Sequence, residues 1–283
     1  MALAGSSADA APQELPAAVR RLLAEPAGQL AVLLDFDGTL APIVDDPALA
    51  RPDAVASDAL ARLAPKVGLA ACVTGRPALQ ARELLGLSQL AYSGLHGAEL
   101  LWPGAERPIV PEAFLADGVR VTQLIADAQA EPEGLAGLVV EHKGPIVALH
   151  WRRADDPAAA QARAGQLAER AEAQGLRSGG GRAVLELRPA LQITKGDAVR
   201  ALLEAAPSVR SVLFAGDDLT DLDAFDAISD LREVGTLRSA ALLAIAGDDA
   251  PPPVAAAADL VLPNPAALGQ LLATFDAALK AGR

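Results

Sequence analysis

The amino-acid sequence predicts an α/β protein, a doubly wound parallel sheet interrupted by an α+β insert. Three observations predict it. Short apolar runs alternate with helical periods near both ends of the chain, two of those runs end in clustered aspartates, and the rhythm changes between them.

The first βα repeat runs from a strand-like stretch at 30–34 through a helix at 54–63, a strand at 67–73, a helix at 77–85 and a short strand at 90–93. Runs apolar on both faces suit a parallel sheet covered by helices on each side. The rhythm returns late, with a helix at 196–205, a strand at 209–215 and a helix after Thr220. Between these parts, a helix at 112–130 precedes strands at 138–143 and 146–152 joined at Gly144-Pro145. A helix at 157–174 then leads through Gly179-Gly180-Gly181 to a strand at 182–188. The expected division is a flexible leader at 1–25, a core made of 26–108 and 189–283, and an inserted cap at 109–188.

With 283 residues, 52% of them apolar, the chain has ample core material. No stretch approaches the roughly 20 uninterrupted apolar residues of a spanning helix, and the mean hydropathy of +0.27 reflects abundant alanine. A net charge of -12 argues against nucleic-acid and anionic-membrane partners, which require clustered Lys and Arg. The first residues lack a basic segment followed by an apolar one, and the single Cys72 permits no internal disulfide. The expected compartment is the cytoplasm.

The first strand ends in Asp35-Phe36-Asp37-Gly38-Thr39-Leu40, placing two carboxylates where open α/β sheets bind ligands. Gly38 lets the backbone turn sharply there. The strand at 209–215 leads into Gly216-Asp217-Asp218-Leu219-Thr220-Asp221, three more carboxylates at an equivalent edge. Carboxylates gathered this closely repel one another, and a hard divalent cation with all-oxygen ligands, magnesium foremost, would neutralise them. Asp221 also stands where it could cap the following helix. Thr74-Gly75-Arg76 offers a hydroxyl and backbone N–H groups for a phosphate. Lys195 at a third strand exit is either a point charge for phosphoryl oxygens or a solvated lysine.

Taken together, DFDGTLAPIV, VTGR, the lysine of ITKGDA and GDDLTD resemble the haloacid dehalogenase superfamily of phosphatases. SGLHGAE, EHKGPIVALHWR and VLELRP further resemble its trehalose-6-phosphate phosphatases. The resemblance runs from about Leu33 to Phe225 and implies a Rossmann-like core with a cap of the C2B type. It implies that Asp35 is the nucleophile, and that Asp37 protonates the leaving sugar oxygen and then activates water. It also implies Mg2+ held by Asp35, the Asp37 carbonyl and Asp217, with Asp218 or Asp221 acting directly or through water, while Thr74, Gly75 and Lys195 attend the phosphoryl group. Arg76 is placed with the substrate-binding residues.

In the insert, period-two alternation puts Glu141 and Lys143 on one strand face and His150 and Arg152 on one face of the next. If Gly144-Pro145 is a tight turn, all four share a face, which taken alone suits solvent. Arg182, Glu186 and Arg188 alternate likewise with apolar residues. By resemblance, Glu141, Lys143, Arg152, Arg182 and Glu186 grip sugar hydroxyls, and His96 reaches the substrate from a Gly-Leu-His-Gly turn. Arg182 stands where the family often has Lys.

The activity so implied is Mg2+-dependent hydrolysis of trehalose 6-phosphate to trehalose and phosphate, coupled in function to a trehalose-phosphate synthase. The competing readings are a related phosphatase for sucrose 6-phosphate or mannosyl-3-phosphoglycerate, and a non-catalytic phosphosugar sensor.

Overall fold

The computed structural model describes residues 14–44, 47–181, 183–246 and 251–281. A seven-stranded sheet forms the core, in the order β11-β10-β9-β1-β2-β3-β4. Its centre is β1 (Leu30–Leu34), flanked by β2 (Leu69–Val73) and β3 (Ala91–Gly94) on one side. On the other lie β9 (Ser211–Gly216), β10 (Ser239–Ile245) and β11 (Leu260–Leu262). All pairings are parallel except that of β3 with the short β4 (Glu99–Leu101).

Why both faces are covered is readable along β1, whose five residues are all buried. Leu30, Val32 and Leu34 pack with α2 (Ala54–Leu63), α3 (Ala78–Leu85) and α9 (Pro265–Ala281). Ala31 and Leu33 pack on the opposite side with α6 (Lys195–Glu204) and α7 (Leu219–Glu233). Each alternate residue therefore feeds a separate apolar layer, as period-two geometry requires.

The strand order runs outward from β1 toward β4 and from β9 toward β11, so it reverses between β1 and β9. That reversal opens a crevice beyond the carboxyl ends of the two strands, and those ends carry Asp35 and Asp217.

The insert forms its own antiparallel sheet, β5-β6-β8-β7, from β5 (Val139–Lys143), β6 (Ile146–His150), β7 (Arg177–Gly181) and β8 (Val184–Arg188). Its apolar face, including Val147, Leu149 and Leu187, packs on α4 (Glu112–Ala130) and α5 (Pro157–Ala173). A small cluster of Leu95, Ala98, Phe114 and Ile146 joins this cap to the core.

Three expectations change, and one short strand is added. From residue 14 onward, the segment assigned to a flexible leader contributes Leu15, Val19 and Leu22 to the core, with α1 (Ala17–Arg20) among its turns. The three glycines read as a connector belong to β7, because pairing with β8 satisfies their backbone groups without side chains. β6 stops at His150, and Arg152 sits in an exposed turn beyond it. β4 carries too short an apolar run to be read by alternation. Among the described residues, no helix is long and apolar enough to cross a membrane.

Candidate active site

Asp35 is the residue following β1, and its side chain is almost fully buried. Its backbone N–H donates to the Ala215 carbonyl, which continues the parallel ladder and fixes the carboxylate at the crevice. Lys195 Nζ lies 3.1 Å from Asp35 Oδ1 and donates to Asp221 Oδ1 at 2.7 Å. Asp221 Oδ2 accepts from the N–H groups of Asp217 at 3.0 Å and Asp218 at 3.1 Å. Asp217 in turn accepts from the Thr39 hydroxyl at 3.0 Å. Nothing in the local sequence marks Thr39 for this contact, because its partner lies 178 residues away.

Asp35, Asp217 and Asp221 each present a carboxylate oxygen within 4.8 Å of the others, a donor set that fits a hard divalent cation. Burial, reinforced by the charge of Asp221, pushes the Asp35 carboxyl well above the usual range and Asp217 up to about 6. Burial opposes the charge on Lys195, but Asp35 and Asp221 hold its ammonium above the ordinary lysine value. Gly38 has a physical reason here: at φ +75°, an added Cβ would lie 1.9 Å from Asp217 Oδ2.

Asp218 stands outside the three-carboxylate group. It caps α7 by accepting from Leu219 N, in a capping box completed by Asp221. Asp221 thus completes the cap of α7 and also stands in the acidic cluster.

Arg76 does not offer itself to substrate. Its Nε and Nη2 donate to the two oxygens of Asp37 at 2.6 Å each, and its Nη1 donates to the Pro47 carbonyl at 2.8 Å. The guanidinium lies over Phe36, 5.2 Å from the ring centroid, and the side chain is 8% exposed. Asp37 is 40% exposed and reaches the cleft. The bidentate fork therefore fixes the orientation of Asp37 and uses the guanidinium donors that a phosphate would need.

A cleft of about 620 Å³ unites Asp35, Asp37, Thr74, Gly75, His96, Lys195 and Asp217. A Cβ at Gly75 would lie 2.7 Å from the His96 ring, so a larger residue there would displace that ring. His96 has φ +59°, and its Nδ1 is buried without a hydrogen-bond partner among the described residues. Burial, aided by the charges of Lys195 and Arg188, lowers its pKa to about 4, so the ring is neutral.

The cap residues form a separate run of charge that does not line this cleft. The register Glu141↔Ala148 and Ala148↔Glu186 puts Glu141, Lys143 and Glu186 on one face, with His150 beside them. His150 Nε2 is 2.9 Å from Glu141 Oε2, Lys143 Nζ donates to Glu186 Oε1 at 3.1 Å, and Arg188 Nε donates to Glu186 Oε2 at 2.9 Å. Burial works against the Glu186 charge, but Lys143 and Arg188 hold its carboxyl below the usual range. Arg152 is not brought into this group, and Arg182 lies outside the described residues.

A doubly wound sheet with acidic residues at its switch point and an α+β cap inserted between its halves is haloacid dehalogenase-like architecture. A solved haloacid dehalogenase-like hydrolase from Bacteroides thetaiotaomicron shares it with a TM-score of 0.57 at 15% identity, over 82% of this chain and 92% of that one. The family model for trehalose-phosphatase matches residues 33–241, and the chain belongs to that family. A trehalose-phosphate phosphatase of Mycolicibacterium paratuberculosis is 38% identical over 206 residues, 70% of this chain and 51% of the relative. The chain thus spans about half the length of the curated relatives it matches. The C-terminal domain of the C. albicans trehalose-6-phosphate phosphatase has the same fold, with a TM-score of 0.67 at 22% identity over 92% of this chain and 95% of that domain.

Proposed function

We propose that this protein is a Mg2+-dependent phosphatase that hydrolyses trehalose 6-phosphate through an aspartyl phosphate on Asp35. The observation that carries the reading is a buried Asp35 at a sheet switch point, 3.1 Å from Lys195, inside an acidic cluster of a trehalose-phosphatase family member.

An Asp35 oxygen attacks phosphorus, and the bond from phosphorus to the sugar oxygen breaks while Asp37 delivers a proton to that oxygen. Water then attacks the phosphorus of the aspartyl phosphate, Asp37 takes its proton, and cleavage of the Asp35–phosphorus bond restores the carboxylate and frees phosphate. The Thr74 hydroxyl and the Gly75 backbone line the cleft where they can hold phosphoryl oxygens, and Lys195 offsets their charge. Mg2+ bound by Asp35, Asp217 and Asp221 would add electrostatic stabilisation of the transferring group. The Arg76 fork fixes the position of Asp37 at the cleft and favours its carboxylate form, the form that takes the proton from water. A trehalose-phosphate synthase is the reaction class that would supply this substrate.

The test is phosphate release from trehalose 6-phosphate, sucrose 6-phosphate, glucose 6-phosphate and p-nitrophenyl phosphate, each with magnesium and with EDTA. Magnesium-dependent preference for trehalose 6-phosphate is the expected result. Faster turnover of another sugar phosphate would overturn the substrate, and binding without phosphate release would overturn the chemistry.

A further inference from the structure

We propose that β7 is a specificity strand, whose Arg177 and bare glycine face receive the sugar ring remote from the phosphate. The proposal rests on the trehalose 6-phosphate reading and extends it to a strand that the sequence pattern had hidden in a connector.

The argument begins with charge. From His150 through Glu141, Lys143 and Glu186 to Arg188, the polar face of the cap sheet pairs successive groups with one another. Arg177 breaks the alternation. The register Arg177↔Arg188 puts two cations side by side on neighbouring strands, an arrangement that costs stability unless something of complementary chemistry lies against it. Arg188 is satisfied by Glu186, whereas Arg177 has no hydrogen bond or ion pair among the described residues.

Both arginines line a second cleft of about 360 Å³ between cap and core, together with Gln192 and Thr194. Its volume falls near the lower end of the roughly 300–1,000 Å³ typical of small-molecule sites. His96, Lys195, Asp218 and Thr220 line this cleft and the one over Asp35 as well, so the two adjoin. A leaving group anchored by its phosphate at Asp35 has two directions to follow. One is walled by Pro42, Ile43, Ile245, Pro251, Pro263 and Pro265, which offer a hydroxyl-rich ring few polar partners. The other leads to Arg177, Arg188 and Gln192, whose donors and acceptors match vicinal hydroxyls. A planar guanidinium presents paired N–H groups at a spacing suited to two neighbouring oxygens.

The glycines supply room. Gly180 is demanded by packing, since a Cβ there would lie 2.2 Å from the Val184 carbonyl oxygen. Gly179 is under no such demand: an added Cβ meets nothing within 4 Å. It pairs with Glu186 and shares the face of Arg177, leaving open space beside a carboxylate acceptor where a ring can lie flat.

The experiment measures kcat/KM for trehalose 6-phosphate, glucose 6-phosphate and p-nitrophenyl phosphate in the wild type, Arg177→Ala, Arg177→Lys and Gly179→Val. For Arg177→Ala, the ratio of kcat/KM on trehalose 6-phosphate to that on p-nitrophenyl phosphate should fall about tenfold or more, carried mainly by KM. Arg177→Lys should recover part of the ratio, and Gly179→Val should lower it by filling the shelf. Discrimination between trehalose 6-phosphate and glucose 6-phosphate, which lacks the remote ring, should shrink in parallel. A uniform loss on all three substrates, or no change in the ratios, would overturn the assignment. A wild type that does not prefer trehalose 6-phosphate would instead overturn the substrate reading on which the proposal rests.

Discussion

The core crevice and the cap face are both built from paired charges, yet they differ in burial. Lys195 and Asp221 are 2% and 0% exposed in their side chains, whereas Lys143 and Glu141 are 27% and 49% exposed. In the crevice, low dielectric makes each pairing consequential and leaves any unmatched carboxylate costly. On the cap, water screens the same kinds of pairs, so they can separate and re-form at little cost. Under the proposed function, the contrast teaches that chemistry sits where the fold has already committed its charges, and recognition where it has not.

The comparison can be broken most sharply at Asp35. Asp35→Asn should lower phosphate release by about 10⁴-fold or more while leaving the circular dichroism spectrum unchanged. Near-normal turnover would remove the crevice from its chemical role. Arg76→Ala should lower kcat on trehalose 6-phosphate by about 100-fold through loss of Asp37 orientation, with KM much less affected. A raised KM at constant kcat would return Arg76 to the substrate-binding role that the family resemblance implied.

On the cap, Lys143→Met should raise KM for trehalose 6-phosphate by about tenfold. It should leave kcat and the thermal midpoint nearly unchanged, because Glu141 stays solvated and Glu186 keeps its pairing with Arg188; a large loss of stability would show that the cap pairs behave like the core ones.

The last expectation concerns stability at His96. Its folded pKa of about 4 lies below the ordinary value of about 6.5, so the unfolded chain binds the proton more readily. Stability from this group is complete above about pH 6.5 and is lost progressively as pH falls toward 4. Between pH 7 and pH 5 the wild type should lose about 2 kcal/mol more than His96→Gln in urea unfolding. Equal losses would place His96 in a more solvated setting.

Much of the core was legible because its signals are local. A parallel strand buried on both faces needs a continuous apolar run, and open sheets bind ligands beyond such strand exits, so Leu30–Leu34 followed by Asp35 and Asp37 announced the fold and the edge where the carboxylates gather. The cap was legible only as far as alternation reaches. Glu141, Lys143 and Glu186 could be assigned to polar faces, but Arg177 followed no apolar run and preceded three glycines that read as a connector. Arg76 was misplaced for another reason: a guanidinium near a phosphate motif looks the same in sequence whether it faces the ligand or a neighbouring carboxylate.

The sequence by itself determined the alternating layers, the acidic strand ends and the glycine turns, since these follow from side-chain period, charge repulsion and the steric limits of the backbone. Only the tertiary structure decided which charges meet. Arg76 with Asp37, Asp217 with Thr39 and Arg177 beside Arg188 each join separate segments, and their pairing depends on strand order and register, which no local pattern encodes.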